Sequence, residues 1–524
     1  MGKNREAKQK DYTERNTYVI MISTLISRIL GIVRISIISM IFGASGTADV
    51  INFTFNIPNN LRKLLAEGAL SSAYIPVLSK SLLNDAKTNE NNSQLLVQNM
   101  LGLQLMILIP LILGVFLFDE QIIRAISSFS DPSQIDLSSD MLTYFSIYLL
   151  FISLAAVISA TLHCKSVFII TAFAPLSFSI AVIGTLLFFG RDQDPLSFVV
   201  GVLIGGLLQL IILVPAFKRE GFIVLPTLRD RSPHMRQVLK YWLPVMITSS
   251  IAIINQQVAY FLASGLPQGS VTSFSNAIIF WQLPYGLFFN AIATVYFPKM
   301  SRDFYKDDMT SLESHMHKGL NQLMLFIIPS MFILLLLSDE FVAAILLRGQ
   351  YTLENTYLTG KVVRMYTYGL LSLSCYNFLL RFFYSIGQYK VTLISSIIVA
   401  CSDILLSVIY VGAGYDVSYL ALANSISFTL GVVFLLLHIR FKTSFNMHLQ
   451  KSFKSLTFIV LLCIPAVFLS FLFKSYMGIP ISSSGSIKGI TITLINSGLF
   501  GVIILLFYRI GNVDITWIQK KRLS

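Results

Sequence analysis

The sequence predicts an all-α polytopic membrane protein of about fourteen transmembrane helices, arranged as two six-helix lobes plus two C-terminal helices. Three observations predict it: a composition poor in charge, apolar runs of helical length from end to end, and a set of markers that recurs in the two halves. Hydrophobic residues make up 55% of the 524-residue chain and charged residues 12%, with a mean hydropathy of +0.72. A soluble chain carries about 25% charged residues, and so few charges do not cover so large a globule in water. A spanning helix needs about 20 mostly apolar residues. Such runs begin near Tyr18, Asp49, Leu95, Met141, Phe168, Ser197, Val238, Val271, Leu320, Val362, Val391, Tyr419, Leu456 and Ile490. Strands of a membrane barrel alternate apolar and polar residues, which these runs do not.

The boundaries follow. Residues 1–17 form a polar cytoplasmic segment, and the apolar run after them is too long for a cleavable signal core and already carries Arg28 and Arg34. The first lobe spans 18–217, a basic connection 218–237, the second lobe 238–440, the C-terminal helix pair 441–510 and a cytoplasmic tail 511–524. Lys and Arg gather in alternate connections: Lys3 to Arg15, Lys218 to Lys240, Lys299 to Lys318, Arg440 to Lys454, and Lys520 to Arg522. The loop after the third span instead holds Asp119, Glu120, Asp131, Asp136 and Asp140. This positive-inside alternation puts both termini in the cytoplasm. The net charge of +13 is thus spread over membrane-boundary loops, and it does not form the single basic stripe of a nucleic-acid binder. Cys164, Cys375, Cys401 and Cys463 have no paired spacing and read as apolar packing residues.

The repeat is carried by Tyr74-Ile-Pro76 through Ser79-Lys80, then Pro110, then Asp119-Glu120. Its second copy is Tyr296-Phe-Pro298 through Ser301-Arg302, then Pro329, then Asp339-Glu340. Pro76 and Asp119 are 43 residues apart, Pro298 and Asp339 41. Repeated halves are the usual architecture of alternating-access transporters.

Ionisable side chains inside spans cost about 2.5–3.5 kcal/mol each on insertion scales and mark function. Arg28 and Arg34 lie in the first span, and Asp49, Arg62, Lys63 and Glu67 in or beside the second. Four cations against two acids leave a positive pocket. Lys63 and Glu67 have the spacing of a helical ion pair, which leaves the three arginines for an anion, and the planar guanidinium fork suits phosphate. The structural alternative is that these cations snorkel to the cytoplasmic face. Pro58, Pro76 and the glycines 31, 43, 46 and 68 mark points where these helices bend. Asn255 in the seventh span and Asp403 in the eleventh offer oxygen ligands to a coupling cation; hydrogen bonds to neighbouring helices are the other use of such residues. His163 and His438 sit near helix ends. There is no nucleophile elbow, phosphate loop, zinc spacing or carboxylate dyad, so the chain is read as a non-enzyme without cofactor or resident metal.

The run Ser27-Arg28-Ile29-Leu30-Gly31-Ile32-Val33-Arg34, followed by Phe42-Gly43-Ala44, Ala48-Asp49 and Ile57-Pro58-Asn59-Asn60-Leu61-Arg62-Lys63 through Glu67-Gly68-Ala69, closely resembles the MurJ (MviN) family of lipid II flippases. Ala172-Phe173-Ala174-Pro175, Phe261 to Gly265, Gln282-Leu283-Pro284-Tyr285-Gly286 and Phe383-Tyr384-Ser385 extend the resemblance over most of the chain. It implies the fold of the multidrug/oligosaccharidyl-lipid/polysaccharide exporter superfamily, plus two C-terminal helices bordering a groove for a polyprenyl tail. It implies the substrate lipid II, a disaccharide-pentapeptide on undecaprenyl diphosphate, moved from the cytoplasmic to the periplasmic leaflet of the bacterial inner membrane. Membrane lipids and other cell-wall synthesis proteins are the further partners implied.

The residues of the family's cationic cavity fall on Arg28, Arg34, Asp49, Arg62, Lys63 and Glu67. The chain departs from the family at Ile35, where an acid is common, at Ile279, where the eighth span usually has arginine, and at Ala259, where the seventh often has an acid. Two alternatives stay open from the residues: export of another lipid-linked glycan, and a non-transporting scaffold of cell-wall synthesis. A cationic-drug exporter would place acids in its cavity, opposite to this cluster.

Overall fold

A computed structural model describes residues 2–65, 69–88, 91–227, 233–442, 449–478, 480–481 and 485–510. Among these, the regular structure is helical and no β-strand occurs. The chain divides into two compact units, Met1–Gln268 and Gly269–Ser524. The first contains α1 (Gly2–Phe42), α2 (Gly46–Leu65), α3 (Ala69–Thr88), α4 (Asn92–Ile126), α5 (Pro132–Cys164), α6 (Ile169–Phe189), α7 (Leu196–Arg219) and α8 (Pro233–Ser264). The second contains α9 (Ser270–Pro284), α10 (Asn290–Tyr305), α11 (Met309–Leu346), α12 (Leu353–Tyr368), α13 (Leu370–Ser385), α14 (Tyr389–Gly412), α15 (Ser418–Lys442), α16 (Leu449–Met477) and α17 (Ile487–Ile510). A π-helical turn, Tyr285–Phe289, joins α9 to α10.

Twelve helices among the described residues are long and apolar enough to cross a membrane, α9 and α10 counting as one. The expected second and tenth spans are outside that group for physical reasons. The second falls on α2 and α3, and α2 carries Asp49, Arg62 and Lys63. The tenth is divided between α12 and α13, each of 16 residues, too short singly to cross a core about 30 Å thick. The helix α8, counted along the sequence as the first span of the second lobe, packs on α2, α3 and α4 of the first unit.

Local chemistry sets the helix ends. Gly43 takes φ +64° and its N–H donates to the Ser39 carbonyl at 2.9 Å, ending α1; a residue with a Cβ pays for that backbone conformation. Asp131 caps α5 through the Ser133 N–H, with Pro132 at the first helical position. Asp308 caps α11, and hydrogen bonds from the Ser311 side chain and N–H and from Thr310 hold its carboxyl at about 2. Within the first unit, α7 approaches α6 and α5 closely because it presents glycines. A Cβ at Gly201 would lie 2.2 Å from Thr185 Oγ1, one at Gly205 2.9 Å from Phe178 Cα, and one at Gly206 2.6 Å from Tyr148 Cδ2. In lipid, where apolar surface gains little by burial, such close approach is a main source of helix association.

The sequence repeat has a backbone counterpart. In α4 the helix breaks at Phe118 (φ −135°, ψ 24°), eight residues after Pro110. In α11 it breaks at Leu337 (φ −116°, ψ 23°), eight residues after Pro329. The Asp-Glu pair follows directly in α4 and after one residue, Ser338, in α11.

The C-terminal pair packs on α11 through Met324, Leu325 and Ile328 against Ile459, Cys463, Ala466, Phe500, Ile504 and Tyr508. Pro329 has no N–H, so the Leu325 carbonyl loses its helical donor. The Tyr508 hydroxyl donates to that carbonyl at 2.7 Å. Tyr508→Phe removes only this donor. Interhelical hydrogen bonds in membranes are worth about 0.6 kcal/mol on average and up to about 1.7, so the variant should be less stable by that amount, read as a lower melting temperature in detergent. An unchanged melting temperature would show that the Leu325 carbonyl has no need of Tyr508.

Candidate functional site

The candidate site is built on α1, α2 and α6 of the first unit. Arg34 is half-buried on α1. Its Nη1 donates to Ser179 Oγ on α6 at 3.5 Å, the long limit of a hydrogen bond. Its guanidinium carbon lies 5.0 Å from the centre of the Phe178 ring, within the range of a cation–π contact. Tyr148 on α5 and Arg62 on α2 are both near enough to act on its charge. Among the described residues no carboxylate pairs with Arg34.

The sequence of α2 explains why it forms. Asp49 lies in its first turn and Arg62 and Lys63 in its last, signs that complement the helix dipole. Asp49 is 3% exposed, so α2 begins with a carboxylate inside the protein. At the other end each cation has an asparagine among its hydrogen-bond partners. Arg62 Nη2 donates to Asn59 Oδ1 at 3.1 Å and Lys63 Nζ to Asn60 Oδ1 at 3.0 Å. The Lys63–Glu67 pairing expected from helical spacing involves a residue outside those described. Asparagine one turn earlier helps to fix each side chain.

The structure thus brings Arg34 and Arg62 together with Tyr148. Arg28 lies six residues before Arg34 on α1 and is exposed, about 9 Å along the axis and about 120° around it from Arg34. Lys63 is exposed at the end of α2. Asn255 is half-buried on α8 of the first unit. Asp403 is buried on α14 of the second unit, where Asn424 Nδ2 donates to it at 2.8 Å. Among the described residues no group of three or more His, Cys, Asp and Glu is placed to hold a metal ion.

Sequence reasoning passed over several residues that the structure makes part of the setting. Asn59 and Asn60 stand in the quoted motif, and their spacing of three before Arg62 and Lys63 was the available signal. Phe178 and Ser179 follow Pro175 in α6 with no periodic signal of their own. In the second unit, Arg364 lies on α12 and Arg381 on α13. Arg364 donates to Ser338 Oγ at 2.7 Å and to Asp339 Oδ1 at 2.8 Å. Gly360 makes room for that carboxylate, since a Cβ there would lie 1.9 Å from Asp339 Oδ1. Arg381 is exposed, with its guanidinium carbon 5.6 Å from the Phe297 ring centre and close enough to act on Tyr285. The second unit therefore holds a cation despite Ile279.

The chain matches the family model described as lipid II flippase MurJ over residues 38–485. It is 35% identical over 420 residues to a probable lipid II flippase MurJ of Borreliella burgdorferi, covering 80% of this chain and 81% of that protein. With a probable lipid II flippase MurJ of Buchnera aphidicola subsp. Acyrthosiphon pisum it shares 28% identity over 466 residues, 88% of this chain and 90% of the other. Among solved structures it resembles a lipid II flippase MurJ in an inward closed conformation, with a TM-score of 0.78, 26% identity, and coverage of 94% of this chain and 99% of the other. An inward-facing multidrug transporter of the MOP superfamily shares the fold, with a TM-score of 0.64 at 14% identity over 81% of this chain and 96% of that one.

The arrangement makes a prediction about stability. Arg34 is half-buried with no carboxylate paired to it among the described residues, a position in which a cation costs stability. Arg34→Gln should therefore be at least as thermally stable as the parent in detergent. A clear fall in melting temperature would mean that Arg34 is there to hold the fold.

Proposed function

The chain belongs to the lipid II flippase MurJ family, and from that premise we propose that it moves lipid II, the undecaprenyl-diphosphate-linked peptidoglycan precursor, from the cytoplasmic to the periplasmic leaflet by alternating access. The observation that carries the site is Arg34, held by the Phe178 ring and the Ser179 hydroxyl with no carboxylate paired to it among the described residues. A diphosphate does not cross hydrocarbon unaided, because an uncompensated ion there costs many kcal/mol. Fixed cations replace the lost hydration. Arg28, Arg34, Arg62 and Lys63 supply the positive charge, and Asp49 and Glu67 limit its excess. The guanidinium forks bind phosphate oxygens through paired donors. The polyprenyl tail stays in lipid while the head group passes through the protein.

In this reading residues 18–217 and 238–440 are the moving lobes and 441–510 an added helix pair. The protein resides in the inner membrane with both termini in the cytoplasm, beside other cell-wall synthesis proteins. No covalent bond is made or broken. A negative-inside potential favours export of a negative head group by about 2.3 kcal/mol per charge per 100 mV.

Depletion of the protein should make lipid II accumulate in the cytoplasmic leaflet and cells lyse. Arg28→Ala and Arg34→Ala should each fail to restore growth while remaining in the membrane at parental level. Lys63→Ala should be milder, because Lys63 lies exposed at the end of α2. Normal periplasmic delivery in depleted cells would refute the transport reading; full growth with both arginine variants would refute the site alone. Reporter fusions in the loop from Lys218 to Lys240 should report the cytoplasm, and an outside location there would overturn the topology.

A further inference from the structure

We propose that Phe178 is a positioning residue that holds Arg34 in the geometry needed to grip the diphosphate of the substrate, an inference that rests on the reading of Arg34 as a head-group ligand. The guanidinium is a flat, delocalised cation. Its face is attracted to an aromatic ring, while all its N–H donors lie on its rim. The Phe178 ring centre, 5.0 Å from the guanidinium carbon, therefore holds the group without consuming a donor, and Ser179 takes one N–H at the long distance of 3.5 Å. The remaining rim is left for phosphate oxygens, which bind such a fork in pairs.

Phe178 can serve this way only if it does not itself move, and the structure fixes it from several sides. It is 9% exposed. The Phe55 ring of α2 stacks on it at 6.0 Å and 13°, and Tyr148 of α5 lies at 5.4 Å and 37°. Its backbone is pressed against α7 at Gly205, where a Cβ would come within 2.9 Å of Phe178 Cα. Phe55 is in turn locked edge-on by Phe145 at 5.6 Å and Phe198 at 5.7 Å.

Phe55 also stands seven residues before Arg62 on α2, two helical turns away and so on nearly the same face. One aromatic stack thus sets the place of Arg34 on α1 relative to the helix that carries Arg62. Two like charges repel and, left to long flexible stems, would spread apart or snorkel towards the interface. The stack opposes this before substrate arrives, so the cost of ordering is not taken from the binding energy. Phe178 touches no substrate atom in this account; it acts through Arg34.

The test is binding of undecaprenyl diphosphate to the purified full-length protein in detergent, with undecaprenol as the probe that lacks the anion. Phe178→Leu keeps an apolar side chain but removes the ring. It should weaken undecaprenyl diphosphate binding about three- to thirtyfold, the span expected for a largely desolvated cation–π contact, and leave undecaprenol binding unchanged. Phe178→Tyr keeps the π face and should restore most of the affinity. In an Arg34→Ala background, Phe178→Leu should cause no further loss. Equal weakening for both probes, or a loss that persists in the Arg34→Ala background, would make Phe178 a packing residue and overturn the inference. Undiminished diphosphate binding by Phe178→Leu overturns it as well. If Arg34→Ala binds the diphosphate normally, the head-group reading falls and this inference with it. If Arg34→Ala weakens binding and Phe178→Leu does not, only the positioning role is refuted.

Discussion

Hydrocarbon offers no hydrogen bonds, so every polar group that enters the membrane must find its partner within the protein. The backbone meets this demand by staying helical, and the prolines show what happens where it cannot. Pro329 strips the Leu325 carbonyl of its donor, and Tyr508 from α17 supplies another. Other helix ends are met similarly from a distance, as when Gln104 Nε2 of α4 donates to the Leu65 carbonyl at the end of α2 at 2.8 Å. The same demand weighs on side chains, where it separates two kinds of buried charge.

The breaks in α4 and α11 give the repeat a shared backbone form. In both halves a proline loosens the helix, a non-helical residue follows eight positions later, and an acidic pair marks the end of the bend. In the second half that pair is engaged: Asp339 accepts from Arg364, and Glu340 forms an ion pair with Lys474 of α16. In the first half Glu120 pairs with Arg124 within its own helix, and both side chains are about half exposed, an arrangement worth little in free energy. The copies share backbone geometry and differ in what is tied to it.

Much of the fold was legible in the sequence because lipid imposes a simple code: apolar length gives the spans, and repeated prolines give the bends. The second and tenth spans were harder to place as helices, since charge in α2 and brevity in α12 and α13 depart from that code. The cationic residues of the candidate site were legible as types, because charge is rare in such a chain. Their partners were not. Nothing in the order of residues says that Phe178 will lie under Arg34, 144 positions earlier in the chain, and the nearer Asn59 and Asn60 were obscured by the more familiar Lys-Glu spacing. Arg381 was missed because its span is short and rich in aromatics, and so did not read as a place for charge.

Arg34 and Arg364 show why partners decide what a partly buried arginine is for. Arg364 meets Asp339 and Ser338 at hydrogen-bond distance, in a space that Gly360 leaves clear. Its charge is cancelled on the spot, it stabilises the junction of α11 and α12, and it has little left for an anion. Arg34 meets a ring and a hydroxyl, and Arg62 is hydrogen-bonded to an asparagine. The partners of Arg34 fix its position and leave its charge intact. A carboxylate beside Arg34 would make the resting protein more comfortable and the cavity less attractive to a diphosphate, because the anion would have to displace it. Isoleucine at position 35 supplies no such carboxylate, and the charge of Arg34, held by Phe178 and Ser179, stays available to a substrate.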